Sequence, residues 1–320
     1  MTAVRPRAMR DALLERIWQG MAEDKRLFFV AADFGAPTLD RIRGDFPDRF
    51  INVGIAEQNL INVSAGLALE GFKVFAYAIA PFITMRCYEQ CRTNLALLST
   101  VRTMNVTLVG VGAGYSYVVS GPTHQCYEDI TLMRALPGFQ VLSPADHVTA
   151  GALYDRCAGR TGLKYLRFDA QNLPVLYDEA APDLERGFTL LRDGTDASLV
   201  ATGYMVHTAL KVAERLAQDG IRLAVVDLFD LSGFDQDALA GLLAARPTLI
   251  SMEEGFSGRG GLDSLLRDLL SRQGLERPTL GIGVEPAYRF ELGDRATLHE
   301  QVGIGPAVAE TKIRAFLKRP

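Results

Sequence analysis

The chain has 320 residues, which is too long for one hydrophobic core of ordinary size and predicts about two domains. Its formal net charge is −4 and its pI is about 5.7, so composition offers no basic surface for nucleic acid or an anionic membrane. Apolar runs fall short of the ~20 residues of a membrane-spanning helix, no secretory signal opens the chain, and four scattered cysteines predict no disulfide framework. We therefore expect a globular protein of the reducing cytoplasm.

The first half of the chain alternates short apolar runs with longer helical patterns. Strands are predicted at 27–32, 74–77, 106–111, 139–142 and 163–167. Helices are predicted at 9–22, 55–70, 82–97, 128–135 and 146–158. Such alternation predicts a parallel sheet with helices on both faces, and the continuous apolar run that begins at Val106 suits a strand buried on both sides.

This alternation stops and then starts again. The segment 176–192 carries a proline and several acidic residues, and it predicts a linker. Strands then follow at 197–201, 222–226, 248–252 and 281–284, with helices at 205–218, 235–245, 260–271 and 306–317. The sequence therefore predicts an α/β protein of two three-layer domains with parallel sheets, at 1–175 and 193–320.

Ligands of open parallel sheets bind beyond the carboxyl ends of the strands. In the first domain those ends carry Asp33-Phe-Gly-Ala-Pro, Gly112-Ala-Gly-Tyr and Ser143-Pro-Ala-Asp. These loops are candidate sites on physical grounds alone.

The densest signal runs from Asp48 to Leu60 and contains Glu57. This glutamate falls in the first turn of a predicted helix, among apolar neighbours in sequence. The helix N-terminus stabilises a carboxylate by up to ~1 kcal/mol, whereas burial favours its protonated form, so a buried Glu57 could donate a proton near neutral pH. By position alone, a solvent-exposed glutamate is the favoured interpretation.

Three further side chains are candidates for catalysis or ligand binding. His124, one of four histidines, lies in the loop Ser120-Gly-Pro-Thr-His-Gln after an apolar strand, where it suits a proton shuttle and a structural role equally well. Arg167 ends a predicted strand and is either an anion clamp or an ordinary surface arginine. Phe82 could stack on a flat ring, although core packing is the favoured interpretation.

Taken together, these segments resemble the C-terminal half of transketolase. The resemblance rests on 48–60, Phe82-Ile-Thr-Met-Arg-Cys-Tyr-Glu-Gln, 120–125 and Leu166-Arg-Phe-Asp-Ala-Gln-Asn-Leu-Pro, in that order and spacing. It covers nearly the whole chain, and 1-deoxyxylulose-5-phosphate synthases and the β subunits of 2-oxoacid dehydrogenases share the layout. It implies the thiamin-diphosphate-binding fold, with the pyrimidine-binding domain at 1–175 and the transketolase C-terminal domain at 193–320.

The resemblance also implies roles for individual residues. Glu57 would hydrogen-bond the aminopyrimidine ring of thiamin diphosphate and favour its imino tautomer, reversing the expectation from position alone, while the cofactor supplies the hard chemistry. The cofactor-binding residues beside Glu57 would be Phe82 on the pyrimidine, Arg86 in the same segment, and Asp33 and Phe34 near the thiazolium. The substrate-binding residues would be His124, which is also catalytic, with Ser120, Arg167 and Arg10.

Full-length transketolases carry a further N-terminal domain, with a Gly-Asp-Gly segment and the metal ligands for the cofactor diphosphate. Nothing in this sequence resembles it. Because a diphosphate needs a divalent cation and backbone donors, the resemblance implies a partner subunit that supplies this half and holds Mg²⁺. We expect an α2β2 assembly in which this chain self-associates, holds no metal of its own and is inactive alone.

Three positions depart from transketolase. Ser120 replaces an aspartate that reads a sugar hydroxyl, Gly112 replaces a phosphate-contacting histidine, and Pro37 lies near the place of a serine. We therefore expect transfer of a two-carbon ketol unit between sugars or sugar derivatives other than the usual pentose phosphates. The alternatives are a deoxyxylulose-phosphate-synthase-like carboligase, a 2-oxoacid dehydrogenase β-type subunit and a noncatalytic scaffold subunit.

The second domain resembles the family's C-terminal domain, and the resemblance implies a role in dimer packing rather than catalysis. Its glycine-rich segment after Met252 lacks the Gly-Lys-Ser/Thr of a phosphate-binding loop and predicts a strand-to-helix turn. The acidic pair Glu253–Glu254 and His299 predict no second site.

Overall fold

The structure is a computed structural model that describes residues 5–177 and 180–318. The chain divides into two compact units. The first unit comprises the chain up to Ala113 and the segment Leu132–Ala181, and the second unit comprises the segment Gly114–Thr131 and the chain from Pro182. The segment Gly114–Thr131 therefore belongs with residues that follow it by more than fifty positions.

Helices and strands alternate through the first 170 residues of the chain. In chain order they are α1 (Met9–Glu23), β1 (Leu27–Ala31), α2 (Pro37–Asp45), β2 (Phe50–Asn52), α3 (Glu57–Leu69), β3 (Lys73–Ile79), the π-helix π1 (Phe82–Arg86), α4 (Tyr88–Gln90), the π-helix π2 (Cys91–Leu97), β4 (Asn105–Val111), α5 (Asp129–Arg134), β5 (Phe139–Leu142), α6 (His147–Gly159) and β6 (Gly162–Phe168).

The sheet of the first unit is parallel throughout, as predicted. Among the described residues it has six strands, in the order β2-β1-β3-β4-β6-β5. Strand β4 is buried along its whole length, which explains its continuous apolar sequence. The hydrophobic pattern did not predict α2 or β2. β2 has only three residues and none of them is fully buried, so it carries a weak signal.

The segment predicted as one helix at 82–97 has a different winding. Two π-helices, π1 and π2, flank the short α4 within it. A π-helix carries an extra residue in its turn, so it changes the direction of the side chains beyond it, and such turns are frequent at functional sites. Hydrophobic periodicity cannot distinguish this winding from an α-helix over so short a segment.

Cys87 and Cys91, in this segment, are buried and form no disulfide, in line with the absence of a disulfide framework predicted from their spacing.

The second unit contains the remaining elements. They are β7 (Phe188–Arg192), β8 (Ala197–Ala201), α7 (Met205–Ala217), β9 (Leu223–Leu228), α8 (Gln236–Ala244), β10 (Leu249–Phe256), α9 (Leu262–Arg272), β11 (Thr279–Val284), α10 (Arg295–Gln301) and α11 (Pro306–Leu317). Within the described chain its sheet has five strands in the order β11-β10-β8-β9-β7.

One edge of the second sheet corrects the prediction. β7 pairs antiparallel with β9, so this sheet is mixed rather than purely parallel. β7 lies inside the segment 176–192 that was predicted as a linker, of which residues 178 and 179 are outside the described residues. An antiparallel edge strand is common on such sheets, and a short one with half-exposed residues carries a weak sequence signal. The α/β architecture itself is confirmed.

Across residues 5–177 and 180–318, no helix combines the length and the apolar character that crossing a membrane would require.

Candidate active site

The candidate residues of the first unit collect at one edge of its sheet. Asp33 and Phe34 follow β1, Glu57 follows β2, and Phe82 and Arg86 follow β3. These three strands are neighbours in the order β2-β1-β3 and run parallel, so their carboxyl ends lie side by side. The loops after them therefore form the kind of crevice in which α/β sheets bind ligands.

Glu57 is the first residue of α3, and its side chain is only 2% exposed. The solvent-exposed glutamate that position alone favoured is therefore wrong. Burial results from the inward face of α3, where Leu60 and Ile61 are fully buried and the helix packs on β3. At this position the unpaired N–H groups of the first turn favour a negative charge.

Arg86 brings Glu57 and Phe82 into one cluster. Arg86 Nη1 donates a hydrogen bond to Glu57 Oε2 at 2.7 Å. The guanidinium carbon of Arg86 also lies over the Phe82 ring, 4.3 Å from its centroid. Phe82 is half-buried, so core packing does not account for the whole of its ring, and the Arg86 side chain is 44% exposed. A buried carboxylate, a flat cation and an aromatic face thus meet at the end of β3.

Asp33 is held by Asn52, a residue that the sequence analysis missed. Asn52 Nδ2 donates to Asp33 Oδ1 at 2.9 Å, and Asn52 Oδ1 accepts from the N–H groups of Asp33 at 3.1 Å and Gly54 at 3.0 Å. Among the described non-glycine residues, Asp33 alone has positive φ, at 48°, a conformation that costs about 1–3 kcal/mol. Asn52 offsets that strain. Its sequence signal was present in the 48–60 motif, but nothing there indicated a partner 19 residues earlier.

Phe34 and Arg10 lie beside each other. The Phe34 ring stacks on Tyr77 of β3, with centroids 5.1 Å apart and planes at 18°. The Arg10 guanidinium carbon is 5.9 Å from the Phe34 centroid, so an arginine from α1 reaches the end of β1. The structure thereby brings Arg10, Asp33 and Phe34 to the same edge of the sheet.

Arg167 is buried in β6, with 3% of its surface exposed. The interpretation as an ordinary surface arginine is therefore wrong. It lies opposite Gly110 of β4, near the carboxyl end of the strand. Because β4 separates β6 from β3, the backbone of Arg167 is about 10 Å along the sheet from the end of β3.

His124 and Ser120 belong to the second unit, so they are described apart from the cluster around Glu57. His124 is half-buried, and its Nδ1 lies 2.9 Å from Thr123 Oγ1. The edge of one ring meets the face of the other between Tyr117 and His124, with centroids 6.3 Å apart. Ser120 is exposed.

No group of three or more His, Cys, Asp and Glu residues is placed to hold a metal ion in the part of the chain that the structure describes.

Two family models match this chain. Residues 5–175 match the pyrimidine-binding domain of transketolase, and residues 188–308 match the transketolase C-terminal domain.

Known proteins of similar length are also similar in sequence. The chain is 31% identical to one of the subunits of apulose-4-phosphate transketolase from Actinobacillus succinogenes, over 81% of this chain and 82% of the relative. It is 31% identical to a subunit of 6-deoxy-6-sulfo-D-fructose transketolase from a Clostridium species, over 92% and 90%.

One solved structure agrees with these relatives. It is a split-gene transketolase described as an inactive β4 tetramer, which superposes with a TM-score of 0.84 at 29% identity and covers 98% of this chain and 99% of its own. The resemblance noted in the sequence is thereby confirmed. The chain belongs to the transketolase family.

Proposed function

We propose that this chain is one subunit of a split transketolase that uses thiamin diphosphate to transfer a two-carbon ketol unit between sugars or sugar derivatives. The observation that carries the proposal is that the buried Glu57 carboxylate and the half-buried Phe82 ring contact the same flat Arg86 guanidinium. The names of the two relatives support it, since both are subunits of transketolases that act on sugar derivatives.

The cluster around Glu57 fits an aminopyrimidine. Such a ring is flat, carries N–H donors and needs a carboxylate at its edge and an aromatic face beneath it. The Arg86 guanidinium is also flat and carries N–H donors, and it makes both of those contacts, 2.7 Å from Glu57 Oε2 and 4.3 Å from the Phe82 centroid. Its atoms therefore stand in for the ring, and Arg86 marks the place where the ring would lie.

Each residue of the cluster then has a distinct task. When bound, the cofactor supplies the electron sink for carbon–carbon bond cleavage. Glu57 holds and exchanges a proton at the edge of the pyrimidine ring. Phe82 fixes the plane of the ring, and Arg86 gives up its contact with Glu57 and stays as a cofactor-binding residue at the exposed side. Asp33, positioned by Asn52, and Phe34 would lie near the thiazolium.

The substrate-binding residues follow from the same family match. His124 would exchange protons with substrate oxygens, and Arg167 and Arg10 would bind an anionic group. The place of Arg167 near the carboxyl end of β6 supports this role, because ligands of parallel sheets bind beyond that end of the strands. Ser120, in place of an aspartate, favours a sugar whose hydroxyl configuration differs from that of the usual pentose phosphates.

A partner subunit completes the proposed enzyme. It would supply the N-terminal half of transketolase, bind the cofactor diphosphate and hold Mg²⁺ in an α2β2 assembly with this chain. The description of the similar solved structure as an inactive β4 tetramer supports a requirement for a second type of chain.

Reconstitution tests the proposal. The chain and a candidate N-terminal-half subunit are mixed with thiamin diphosphate and Mg²⁺, and ketol transfer is followed with xylulose 5-phosphate and with non-phosphorylated or differently charged ketoses. We expect turnover only in the mixture, and a preference for a ketose other than xylulose 5-phosphate. Turnover by this chain alone would contradict the partner requirement. Pyruvate consumption with release of carbon dioxide would contradict ketol transfer and support the carboligase alternative.

A further inference from the structure

The loop that carries Ser120 and His124 has a closed base. Gly114 N–H donates to the Cys126 carbonyl at 2.9 Å, and Cys126 N–H donates to the Gly114 carbonyl at 3.0 Å. We call residues 114–126 the His124 loop. Since this bridge fixes both ends of the loop, the position of His124 depends on what holds the bridge.

Glu254, in the carboxyl-terminal half of β10, contacts the base of this loop directly. Its side chain is 1% exposed, and its Oε1 accepts from the Tyr115 N–H at 3.3 Å. A Cβ on Gly114 would come within 2.4 Å of Glu254 Oε2, and Gly114 has φ of +54°. The glycine is thus required by the close approach of the carboxylate as well as by its backbone conformation.

Two side chains of α10 orient the Glu254 carboxylate. Arg295 binds both oxygens, with Nε 3.0 Å from Oε1 and Nη2 2.6 Å from Oε2. His299 Nε2 lies 2.6 Å from Oε1. Because the guanidinium is planar and binds in two places, the carboxylate has one orientation, and Oε1 stays aimed at the Tyr115 N–H.

Contacts between aromatic rings also connect the base of the loop to α10 and β10. The Tyr115 ring meets the His299 ring edge to face, with centroids 5.6 Å apart, and it lies 5.0 Å from the ring of Tyr127. Tyr127 in turn packs on Phe256 at the end of β10, at 5.1 Å. Both ends of the His124 loop are therefore attached to β10 and α10.

Residues just after the loop are attached to the second unit as well. Tyr288 Oη donates to Glu128 Oε1 at 2.9 Å, and Thr131 Oγ1 donates to the Arg259 carbonyl at 2.8 Å. The anchoring thus extends along the segment Gly114–Thr131 and accounts for its membership of the second unit.

We propose that Glu254 is a positioning residue for His124. It acts through the base of the His124 loop, with Arg295 and His299 as its supports. The second unit would then position a substrate-binding residue, in addition to the packing role expected from the sequence. This inference rests on the proposed function, because it assumes that His124 meets the substrate. A buried charge network suits the task, since its hydrogen bonds specify one arrangement where apolar contacts would allow several.

Amide hydrogen exchange of the full chain tests the positioning without any turnover. In Glu254→Gln, peptides that cover 114–126 are expected to exchange at least about tenfold faster than in wild type, at exchange times so short that β8 and β9 remain protected in both proteins and the loss of global stability does not contribute. The control is Arg246→Met, which loses an ion pair to Asp193 and a hydrogen bond to the Gly194 carbonyl at the opposite ends of the strands. Acceleration of the loop by the same factor in Arg246→Met, or an unchanged loop in Glu254→Gln, would overturn the proposal.

His299→Phe is the milder variant, to be used where Glu254→Gln does not fold. It removes the 2.6 Å contact with Glu254 and keeps an aromatic ring beside Tyr115 and Tyr204. The same local acceleration of 114–126 is expected, with a smaller factor of about threefold. An unchanged loop in this variant would contradict the role of His299 as a support.

Kinetics of the reconstituted enzyme complete the test. We expect Glu254→Gln to lower kcat/KM for the sugar at least about tenfold, with the Kd for thiamin diphosphate unchanged, because Glu57 and Phe82 lie in the first unit. A matched loss of cofactor affinity would indicate general misfolding and overturn the positioning role. If wild type shows no ketol transfer with any partner, the proposed function fails, whereas the exchange result still decides whether Glu254 positions the loop.

Discussion

Two buried glutamates, one in each unit, each pair with an arginine, but the two arginines differ in their exposure to solvent. Glu57 and Glu254 are 2% and 1% exposed, and each accepts from an arginine that lies over an aromatic ring. Around Glu57 the arginine is Arg86, whose side chain is 44% exposed. Around Glu254 it is Arg295, whose side chain is 4% exposed and which shares the carboxylate with His299.

This difference in exposure matches the two proposed roles, Glu57 in the active site and Glu254 as a structural support. The exposed Arg86 guanidinium is solvated by water when it leaves, and a cofactor ring that donates to Glu57 can take its place at the carboxylate. Removing one partner from a buried pair such as Glu254–Arg295 leaves an uncompensated charge and costs about 3–5 kcal/mol. Burial of the glutamate alone therefore does not distinguish the proposed catalytic Glu57 from the structural Glu254, whereas the exposure of the arginine partner does.

The largest effect is expected at Glu57. In the reconstituted enzyme, Glu57→Gln should lower kcat by about 10²–10⁴-fold, because the amide cannot exchange a proton with the ring nitrogen. Its unfolding temperature should stay near that of wild type, which is measured by circular dichroism on the same preparation. Turnover near the wild-type rate would break the contrast between the two glutamates.

Glu254→Gln should instead lower stability, by about 3–5 kcal/mol at pH 7, as measured by urea unfolding. Acid should reproduce this loss. Burial opposes ionisation of Glu254, but the charges of Arg295 and His299 outweigh it and hold the pKa well below its ordinary value of 4.5. A lowered pKa gives stability that is present above pH 4.5 and is lost as the pH falls further. The variant should have a flatter stability profile below pH 4.5, and a profile parallel to wild type would contradict the prediction.

Lys164 sharpens the comparison, because it is a buried charge whose hydrogen-bond partners are neutral. Its Nζ donates to Asn105 Oδ1 at 2.8 Å and to the carbonyls of Arg160 and Gly162. Burial lowers the pKa of Lys164 from 10.5 to about 8. The unfolded chain therefore binds more protons between those values, and stability should rise by about 3 kcal/mol as pH increases from 8 towards 10.5.

Urea unfolding at pH 8 and pH 10.5 measures that rise, with Lys164→Met as the control. The methionine variant should lose this part of the pH dependence. An equal rise in both proteins would show that the lysine is not its source.

The smallest effect is expected at Arg86. If the pyrimidine replaces its guanidinium at Glu57, Arg86→Met should change the Kd of the reconstituted enzyme for thiamin diphosphate by less than about fivefold, because the lost contact at the exposed side is offset by the ion pair that no longer has to be broken. Calorimetric titration measures the Kd. A larger loss of affinity would show that Arg86 contributes more to holding the cofactor than its displacement from Glu57 costs.

Much of the first unit was predictable. The apolar runs of β1, β3, β4, β5 and β6 predicted a parallel sheet, because a strand buried on both faces has a continuous apolar sequence. Short or half-exposed strands carry no such signal, so β2 and the antiparallel β7 were missed. The π-helical winding after β3 was missed for a related reason, since one extra residue hardly changes the apolar period.

The candidate site was likewise predictable only in part. Sequence alone determined the family, the α/β architecture and the identity of Glu57, Phe82 and His124 as candidates, because these depend on residue types at fixed spacing along the chain. Only the tertiary structure decided that Glu57 is buried, that Arg86 is its partner and that Asn52 holds Asp33. It also decided that the His124 loop rests on Glu254, 139 residues away from Tyr115. Burial and long-range contacts arise when distant segments pack together, and no local pattern specifies which segments will meet.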